Sequence, residues 1–388
     1  MKKLILFVLV LLFLATTFSS KPFITGWYQQ FLPPIDNKPI ATIYFLDSLN
    51  GFAGTDEFSN DTNYILKTTN SGNNWFIVHN QIKFFKEFSF INSTTGYVCG
   101  SLILKTTNSG NNWFEISFPL GKKADDMQIL NEDTILFADE NGFDGGVYRT
   151  TNAGATWQNV FNGGPNNPNI IYMYDKNLGF ISSINNTFYR TTNAGVTWTY
   201  IPGVTPFTDM HFINSNTGWK CNGDFYKTTN GGLNWINIML PPKNDSLLLS
   251  RINRFSVVNE DTIWGIGSLK LLGVSQLRGV IFATTDGGNT WGYQLPDTSI
   301  NSTDYRTIFL INKNNIWAYW NKGGVHTTTG GDSTILLDIK QTSYELPDEF
   351  KLQQNYPNPF NPTTLIKFKI AKHSFVILKV YNIKGEEI

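Results

Sequence analysis

The sequence predicts an all-β protein, a seven-bladed β-propeller built from four-stranded antiparallel blades. Two observations predict this fold. One short phrase returns along the chain at intervals of about forty residues, which is the length of a propeller blade. Around each copy, apolar and polar residues alternate in short runs that are separated by Gly- and Asn-rich turns, as they do in half-buried strands.

The repeated phrase is a hairpin turn that ends in tryptophan. Its copies are "LKTTNSGNNW", "LKTTNSGNNW", "YRTTNAGATW", "YRTTNAGVTW", "YKTTNGGLNW" and "FATTDGGNTW", and a seventh, "HTTTGGDST", has Thr334 in place of tryptophan. The Asn or Asp can accept hydrogen bonds from backbone N–H groups two or three residues further on, and the Gly takes a positive φ. We assign this structural role to Asn70, Trp75, Asn108, Trp113, Asn152, Trp157, Asn193, Trp198, Asn230, Trp235, Asp286 and Trp291.

An upstream half completes each unit. "FSFINSTTGYVCG" (88 to 100) and "MHFINSNTGWKCNG" (210 to 223) read as a strand, a turn and a second strand. Each unit is therefore predicted to be four antiparallel strands. Their order places the turns between first and second strands on the face that carries the repeated phrase. The long irregular loops lie on the opposite face, where binding on a rigid scaffold usually occurs.

Ring closure is predicted from the N-terminus. The seventh copy lacks its tryptophan, while "ITGWYQQFLPP" (24 to 34) resembles "GLNWINIMLPP" (232 to 242). A strand after Trp27 would complete the last blade and leave no open sheet edge in the ring. The same geometry separates Cys99 and Cys221, which occupy matching strands three blades apart. We therefore expect two free, buried thiols.

The ends of the chain predict export. Lys2 and Lys3, an apolar run from 4 to 14 and "ATTFSS" have the layout of a secretory signal peptide over residues 1–20. No later stretch is long and apolar enough to span a membrane. Lys+Arg and Asp+Glu are balanced at 30 each, so the composition gives no bias toward nucleic acid.

The repeated phrase resembles the Asp-box (bacterial neuraminidase) repeat. Combined with its upstream half, it is most similar to the β-propeller family of photosystem II assembly and stability factors. The resemblance covers roughly residues 40 to 336, and with the closing strand the predicted propeller spans residues 21–336. Asn replaces the usual Asp in five copies, and only Asp286 retains the acid. Because an amide caps such a turn as well as a carboxylate does, the substitution favours a structural role.

The tail resembles the type A C-terminal sorting domain of the type IX secretion system, found in Bacteroidetes-like bacteria. After a linker at 337–349, residues 350–388 contain "LQQNYPNPFNPTTLIKFKI", and the central motif residues are Asn355, Tyr356, Pro357, Asn358, Pro359, Phe360, Asn361 and Pro362. The resemblance implies contact with the type IX machinery and a secreted or cell-surface location. Only a hairpin of the family's Ig-like β-sandwich is expected before Ile388, from strands at about 364 to 370 and 375 to 382.

Two sets of residues are candidate binding groups. A cation precedes the repeated turn in five units and could form a basic arc for an acidic partner: Lys67, Lys105, Arg149, Arg190 and Lys227. The more frequent role of such residues is that of solvated strand-end side chains. In "DENGFDGG", Asp139, Asn141 and Asp144 offer oxygens for calcium, although an ordinary turn is the alternative. No cofactor is predicted.

We expect a monomeric, non-catalytic propeller that binds a protein or glycan through its loop-rich face. The resemblance to the neuraminidase repeat would suggest a sialidase, but the few arginines of this chain do not match those of a sialidase site. One alternative is a glycan-active hydrolase whose carboxylates, among them Asp245, Glu260 or Asp304, meet on the loop-rich face. Another is an assembly factor for a second exported protein.

Overall fold

Seven antiparallel sheets follow one another along the chain, as the repeat predicts. The computed structural model describes residues 26–56, 61–141, 145–163, 167–238, 240, 247–271, 278–296, 305–320, 323–331, 335–336, 351–352 and 368–369. The chain divides into two compact units, residues 1–337 and 338–388. The signal peptide and the sorting motif 355–362 lie outside the described residues.

The first four blades are sheets of four strands that pair in sequence order. Blade 1 contains β2 (Ile40–Phe45), β3 (Gly51–Thr55), β4 (Asn63–Thr68) and β5 (Phe76–Gln81). Blade 2 contains β6 (Phe85–Phe90), β7 (Gly96–Gly100), β8 (Leu104–Thr106) and β9 (Phe114–Glu115). Blade 3 contains β10 (Asp126–Ile129), β11 (Ile135–Asp139), β12 (Gly146–Thr150) and β13 (Gln158–Asn162). Blade 4 contains β14 (Pro168–Met173), β15 (Gly179–Ser183), β16 (Phe188–Thr191) and β17 (Thr199–Tyr200).

Blade 5 follows the same plan, and the last two blades vary it. Blade 5 contains β18 (Asp209–Phe212), β19 (Gly218–Asn222), β20 (Asp224–Thr228) and β21 (Ile236–Ile238). Blade 6 contains β22 (Leu247–Val257), β23 (Ile263–Leu271), β24 (Arg278–Thr284) and β25 (Gly292–Gln294). Blade 7 contains β26 (Thr307–Leu310), β27 (Ile316–Trp320) and β28 (Gly323–Thr327), and its outer strand is β1 (Tyr28–Phe31).

The N-terminal strand closes the ring, so the predicted closure is confirmed. Tyr28 lies opposite His326 and Phe31 lies opposite Gly323 in an antiparallel ladder. Trp27 is buried, and its indole N–H donates to Gln294 Oε1 of blade 6 at 2.6 Å. The first strand of the chain is therefore fastened both to the last blade and to the blade before it.

A feature that the sequence did not predict is a fifth strand on blade 6. After blade 7, β29 (Ile335–Leu336) returns to pair antiparallel with β25, with Leu336 opposite Gly292 and Ile335 opposite Tyr293. The outer edge of blade 6 is therefore covered by the chain itself.

Apolar side chains from neighbouring blades form the core. Each second strand is almost entirely buried, as in Gly51–Thr55 and Ile316–Trp320. Phe52 of blade 1 packs edge-on against Trp113 of blade 2 with ring centroids 6.0 Å apart. The inter-blade interfaces are therefore closed largely by the repeated aromatic residues. Cys99 and Cys221 are buried and free, as predicted.

In the second unit, the described residues form one short pair of strands. Lys351–Leu352 (β30) pairs antiparallel with Phe368–Lys369 (β31). The latter falls inside the strand predicted at about 364 to 370, and its partner lies in the lead-in. The second predicted strand, at about 375 to 382, lies outside the described residues.

Candidate functional site

The first strands of the blades surround the channel of the ring. These inner strands contact one another from blade to blade, as β2 does with β6 and with β26. Each begins at the connector from the preceding blade, so its N-terminal end lies on the face opposite the repeated turns. This is the face where the sequence analysis placed a partner site, although most of its long loops lie outside the described residues.

Four inner strands contain a β-bulge, which lies at the start of the strand in blades 1, 2 and 4 and in the middle of the longer β22 in blade 6. The ladder register slips by one residue between Ile40 and Thr42, and the same slip occurs in blades 2, 4 and 6. A bulge leaves one residue out of the ladder and changes the direction of its side chain. The bulged residues are Ala41, Lys86, Asn169 and Asn253.

A cavity of about 360 Å³ opens at this end of the channel. Residues of six blades line it, most of them at the beginning of an inner strand, and they include three of the bulged residues. The lining residues are Ala41, Asp56, Lys86, Ile170, Thr208, Asn253, Arg254, Tyr305 and Arg306. A volume of this size holds part of a peptide or a small ligand, since ligand pockets start at about 300 Å³.

Charged side chains dominate the wall below the mouth. Glu87, Asp126 and Asp209 occupy the same ladder position in blades 2, 3 and 5, opposite Cys99, Ala138 and Cys221. Arg254 occupies this position in blade 6, opposite Ile266. The four half-buried groups interact electrostatically with one another across the channel.

Two of these carboxylates also fasten neighbouring blades together. Asp126 Oδ2 accepts the backbone N–H of Ile171 at 2.9 Å, and Asp209 Oδ2 accepts the N–H of Phe255 at 2.8 Å. Inner strands have a free edge toward the channel, and a buried N–H there needs an acceptor. The two carboxylates therefore provide hydrogen-bond acceptors for N–H groups at the inner edge of the following blade.

Burial and like charge change the ionisation of the channel groups. Burial raises the pKa of Glu87 to about 7, with Arg254 lowering it and Asp209 raising it. Burial and the Glu87 carboxylate raise the pKa of Asp126 to about 8. Burial would lower the pKa of Arg254, but the Asp209, Glu87 and Asp126 carboxylates raise it. Arg254 therefore remains charged, while Glu87 and Asp126 are partly protonated near neutral pH.

One ion pair lines the cavity, and a second lies in blade 3. Lys86 Nζ lies 3.9 Å from Asp56 Oδ2, and Lys122 Nζ lies 3.4 Å from Asp139 Oδ2. Asp139 Oδ1 also accepts the Lys123 N–H, and Asn141 donates to the Gly121 carbonyl. Two of the three candidate calcium ligands thus have protein partners. The described residues contain no cluster of three His, Cys, Asp or Glu suited to a metal, and Asp144 lies outside them.

The predicted turn residues all make the same contact. In each turn the Asn or Asp Oδ1 accepts the backbone N–H four residues on, rather than two or three, at 2.8 to 3.0 Å. The threonine two residues before it accepts the N–H of the glycine, as Thr68 does from Gly72 at 2.9 Å. Gly72 has a φ of 82°, the positive value that the sequence predicts.

The residues of the predicted basic arc lie close to neighbouring groups of the same chain. Lys67 Nζ donates to Ser109 O and Asn111 Oδ1 of blade 2, each at 2.7 Å. Arg190 Nε donates to Gly231 O of blade 5 at 2.7 Å. Lys227 lies 3.9 Å from Glu260, Lys105 lies over the Tyr97 ring and Arg149 Nε is buried. The contacts of Lys67, Arg190 and Lys227 connect neighbouring blades, whereas Lys105 and Tyr97 belong to the same blade. The docking role of the arc stays a prediction.

The carboxylates proposed for a hydrolase do not meet among the described residues. Glu260 is in the turn between the first and second strands of blade 6, on the face of the repeated turns. Asp245 and Asp304 lie outside the described residues. The carboxylates that do converge are Glu87, Asp126 and Asp209, and the sequence analysis did not single them out. Glu87 and Asp209 come directly before the strand segments at 88 to 100 and 210 to 223. Their shared ladder position was the available signal.

No protein-family model matches the chain, and no curated protein is significantly similar to it. Solved structures do share its fold. YCF48 bound to D1 peptide has a TM-score of 0.61 at 18% identity, over 78% of this chain and 97% of that one. YCF48 from Cyanidioschyzon merolae has a TM-score of 0.59 at 14% identity, over 78% and 98%.

A glycosidase also shares the fold. The GH74 xyloglucanase from Xanthomonas campestris has a TM-score of 0.61 at 13% identity, over 79% of this chain. The match spans only 54% of the xyloglucanase chain. Among the described residues, no helix is long and apolar enough to cross a membrane. At these identities the similarities show the seven-bladed propeller fold, which binding proteins and enzymes share.

Proposed function

We propose that this chain is an exported, non-catalytic propeller that binds a segment of a partner protein at the channel mouth. The observation that carries the proposal is the charged cavity of about 360 Å³, to which six blades contribute. An opening with both cations and polar groups offers ion pairs and hydrogen bonds to a peptide's side chains and backbone. A protein of the same fold in complex with a peptide supports this kind of partner.

Export and location are part of the proposal. The N-terminal signal pattern and the sorting motif at 355–362 support passage through the type IX machinery to the surface or the medium. An assembly role for another exported protein would use the same mouth.

We base the proposed absence of catalysis on the hydrogen bonds that the channel carboxylates already make. Asp126 and Asp209 each accept two backbone N–H groups, from Met127 and Ile171 and from Met210 and Phe255. A glycosidase needs one carboxylate that is free to protonate a leaving group and a second that attacks or activates water. The alternative, a glycan-active hydrolase, is favoured only by Glu87, whose raised pKa suits a general acid.

A charge-reversal pair tests the site. The full chain is screened against phage-displayed random dodecapeptides, and affinities of the selected peptides are measured for Arg306→Glu and Arg251→Glu. Both arginines are exposed, but only Arg306 lines the cavity. We expect Arg306→Glu to weaken binding at least about tenfold, or 1.4 kcal/mol, while Arg251→Glu leaves it unchanged.

Each of three other results would contradict a different part of the proposal. If the selected peptides bind Arg306→Glu as tightly as the wild type, the channel mouth is not their binding site. Glycan-array binding lost in Arg306→Glu without any peptide selected would replace the protein partner with a glycan. Hydrolysis of an array glycan that disappears in Glu87→Gln would establish the enzyme.

A further inference from the structure

Blade 6 shows that an outer edge of this propeller accepts an additional strand. On β25, Gly292 and Tyr293 pair with Leu336 and Ile335 of β29. β29 comes from the segment after blade 7 and runs antiparallel to β25. The other blades have no fifth strand among the described residues.

The outer strand of blade 5 is equivalent to β25. Both follow the tryptophan of their repeated turn directly. Ile236 lies opposite Lys227 in blade 5, as Gly292 lies opposite Ala283 in blade 6. By this register, Ile236 and Asn237 of β21 occupy the positions at which Gly292 and Tyr293 receive β29.

A groove runs beside β21 where blade 5 meets the repeated turn of blade 6. Its volume is about 340 Å³, and its lining is Lys227, Thr229, Ile236, Asn237, Ile238, Gly288 and Asn289. The side chain of Ile236 is 68% exposed, which equals the value for Phe31 and is the highest for an apolar strand residue whose side chain is described. An aliphatic side chain facing an open groove, beside an edge strand with free backbone groups, fits strand addition.

We propose that this groove binds an extended, aliphatic segment of a partner protein, which adds to β21 as an antiparallel strand. The occupant of the equivalent edge in blade 6 indicates the chemistry, because it is a short extended stretch with the sequence Ile335–Leu336. Backbone hydrogen bonds to β21 supply the pairing, and Ile236 supplies an apolar contact beside the cation of Lys227. This surface is on a different part of the ring from the channel mouth, so the two proposals stand or fail separately.

The chain provides its own probe. A fluorescein-labelled peptide with the sequence Ser-Thr-Ile-Leu-Leu-Asp, which is that of residues 333–338, is titrated with the full chain, and its anisotropy is measured. The test variant is Ile236→Glu. The control is Phe114→Glu, which also places Glu directly after the tryptophan of a repeated turn, Trp113 in blade 2, at a side chain that is 48% exposed.

We expect Ile236→Glu to raise the Kd at least about tenfold and Phe114→Glu to leave it unchanged. A peptide N-methylated at both leucines should also bind at least about tenfold more weakly, because it cannot form the ladder. Thermal melts should be alike for the variants, since both side chains are exposed.

Four results would overturn the proposal. The peptide fails to bind, or it binds equally well to Ile236→Glu, which would follow if it displaced β29 from blade 6. Light scattering shows a dimer that Ile236→Glu dissociates, which would make a second copy of the chain the occupant. N-methylation leaves the Kd unchanged, which would exclude strand addition.

Discussion

The repeated turns and the channel wall both contain backbone N–H groups that need an acceptor, and they supply that acceptor in different ways. In both, an oxygen of Asn or Asp accepts a backbone N–H. In the turns the acceptor and donor are four residues apart and exposed, as for Asn193 and Thr197. In the channel they belong to different blades, as for Asp209 and Phe255, and the acids lie among other charges.

The difference shows where charge matters. Five turns use Asn and one uses Asp with the same geometry, so a neutral oxygen is sufficient for a local contact. In the channel, three carboxylates oppose one guanidinium, and removing a charge changes the ionisation of the others. The turns therefore build the scaffold, and the channel wall has the electrostatic properties that a binding site needs.

The largest effect is expected from Arg254→Leu. This change removes the cation that interacts with Glu87, Asp126 and Asp209. Because the half-buried acids lose this compensation, the free energy of unfolding should fall by about 3 kcal/mol, the low end of the range for a buried pair. Urea unfolding followed by tryptophan fluorescence at pH 8 measures it. The exposed neighbour Arg251→Leu is the control, for which we expect a change within about 0.5 kcal/mol.

The loss should be smaller at pH 5. Glu87 and Asp126 have raised pKa values, so the folded state binds more protons than the unfolded chain between their ordinary and raised values. Their contribution to stability therefore falls as pH rises through this interval. Without Arg254 the fall should be steeper. An equal loss at pH 5 and pH 8 would mean that Arg254 stabilises the channel by packing alone.

A smaller effect is expected from Asp209→Ala. The change removes the acceptor of the Phe255 and Met210 N–H groups, which costs about 2 kcal/mol when a partly buried donor is left unpaired. Asp209→Asn keeps one acceptor oxygen and should cost about half as much. Equal losses in the two variants, measured by urea unfolding at pH 7, would show that the charge and not the acceptor fastens blade 6 to blade 5.

The sequence predicted the turns well and the channel wall poorly. Each turn residue acts within its own repeat, so Asn70 or Trp75 could be assigned from local pattern, and even the closing strand after Trp27 resembled its equivalents. Glu87, Asp126 and Asp209 differ from blade to blade, and they meet only because the ring brings inner strands together. Neither their convergence nor the return of β29 to blade 6 has a local signal, since both depend on contacts between distant residues.

The stability of the repeated turns should depend on the position of the acceptor oxygen and not on the charge of the side chain. Asn193→Ala removes the acceptor of the Thr191 hydroxyl and the Thr197 N–H and should cost about 1 kcal/mol. Asn193→Asp keeps both contacts, as Asp286 does in blade 6, and should change stability by less than about 0.5 kcal/mol. If thermal unfolding ranks Asn193→Asp with Asn193→Ala, the amide nitrogen, which donates to the Thr197 hydroxyl, is the important atom.

The smallest effect is expected from Asp286→Asn, which gives all six tryptophan-containing turns the same residue. Burial would raise the pKa of Asp286, but hydrogen bonds from Thr290 and Thr284 outweigh it and lower the pKa. A lowered pKa contributes stability above the ordinary value, and this contribution is lost as pH falls toward the folded-state value. Because the group is exposed and screened by solvent, the difference at pH 7 should be below about 0.5 kcal/mol. It should shrink below pH 4, where wild type and variant unfold alike in urea. A difference that persists at pH 3 would show that the carboxylate's shape, rather than its charge, distinguishes this turn from the other five.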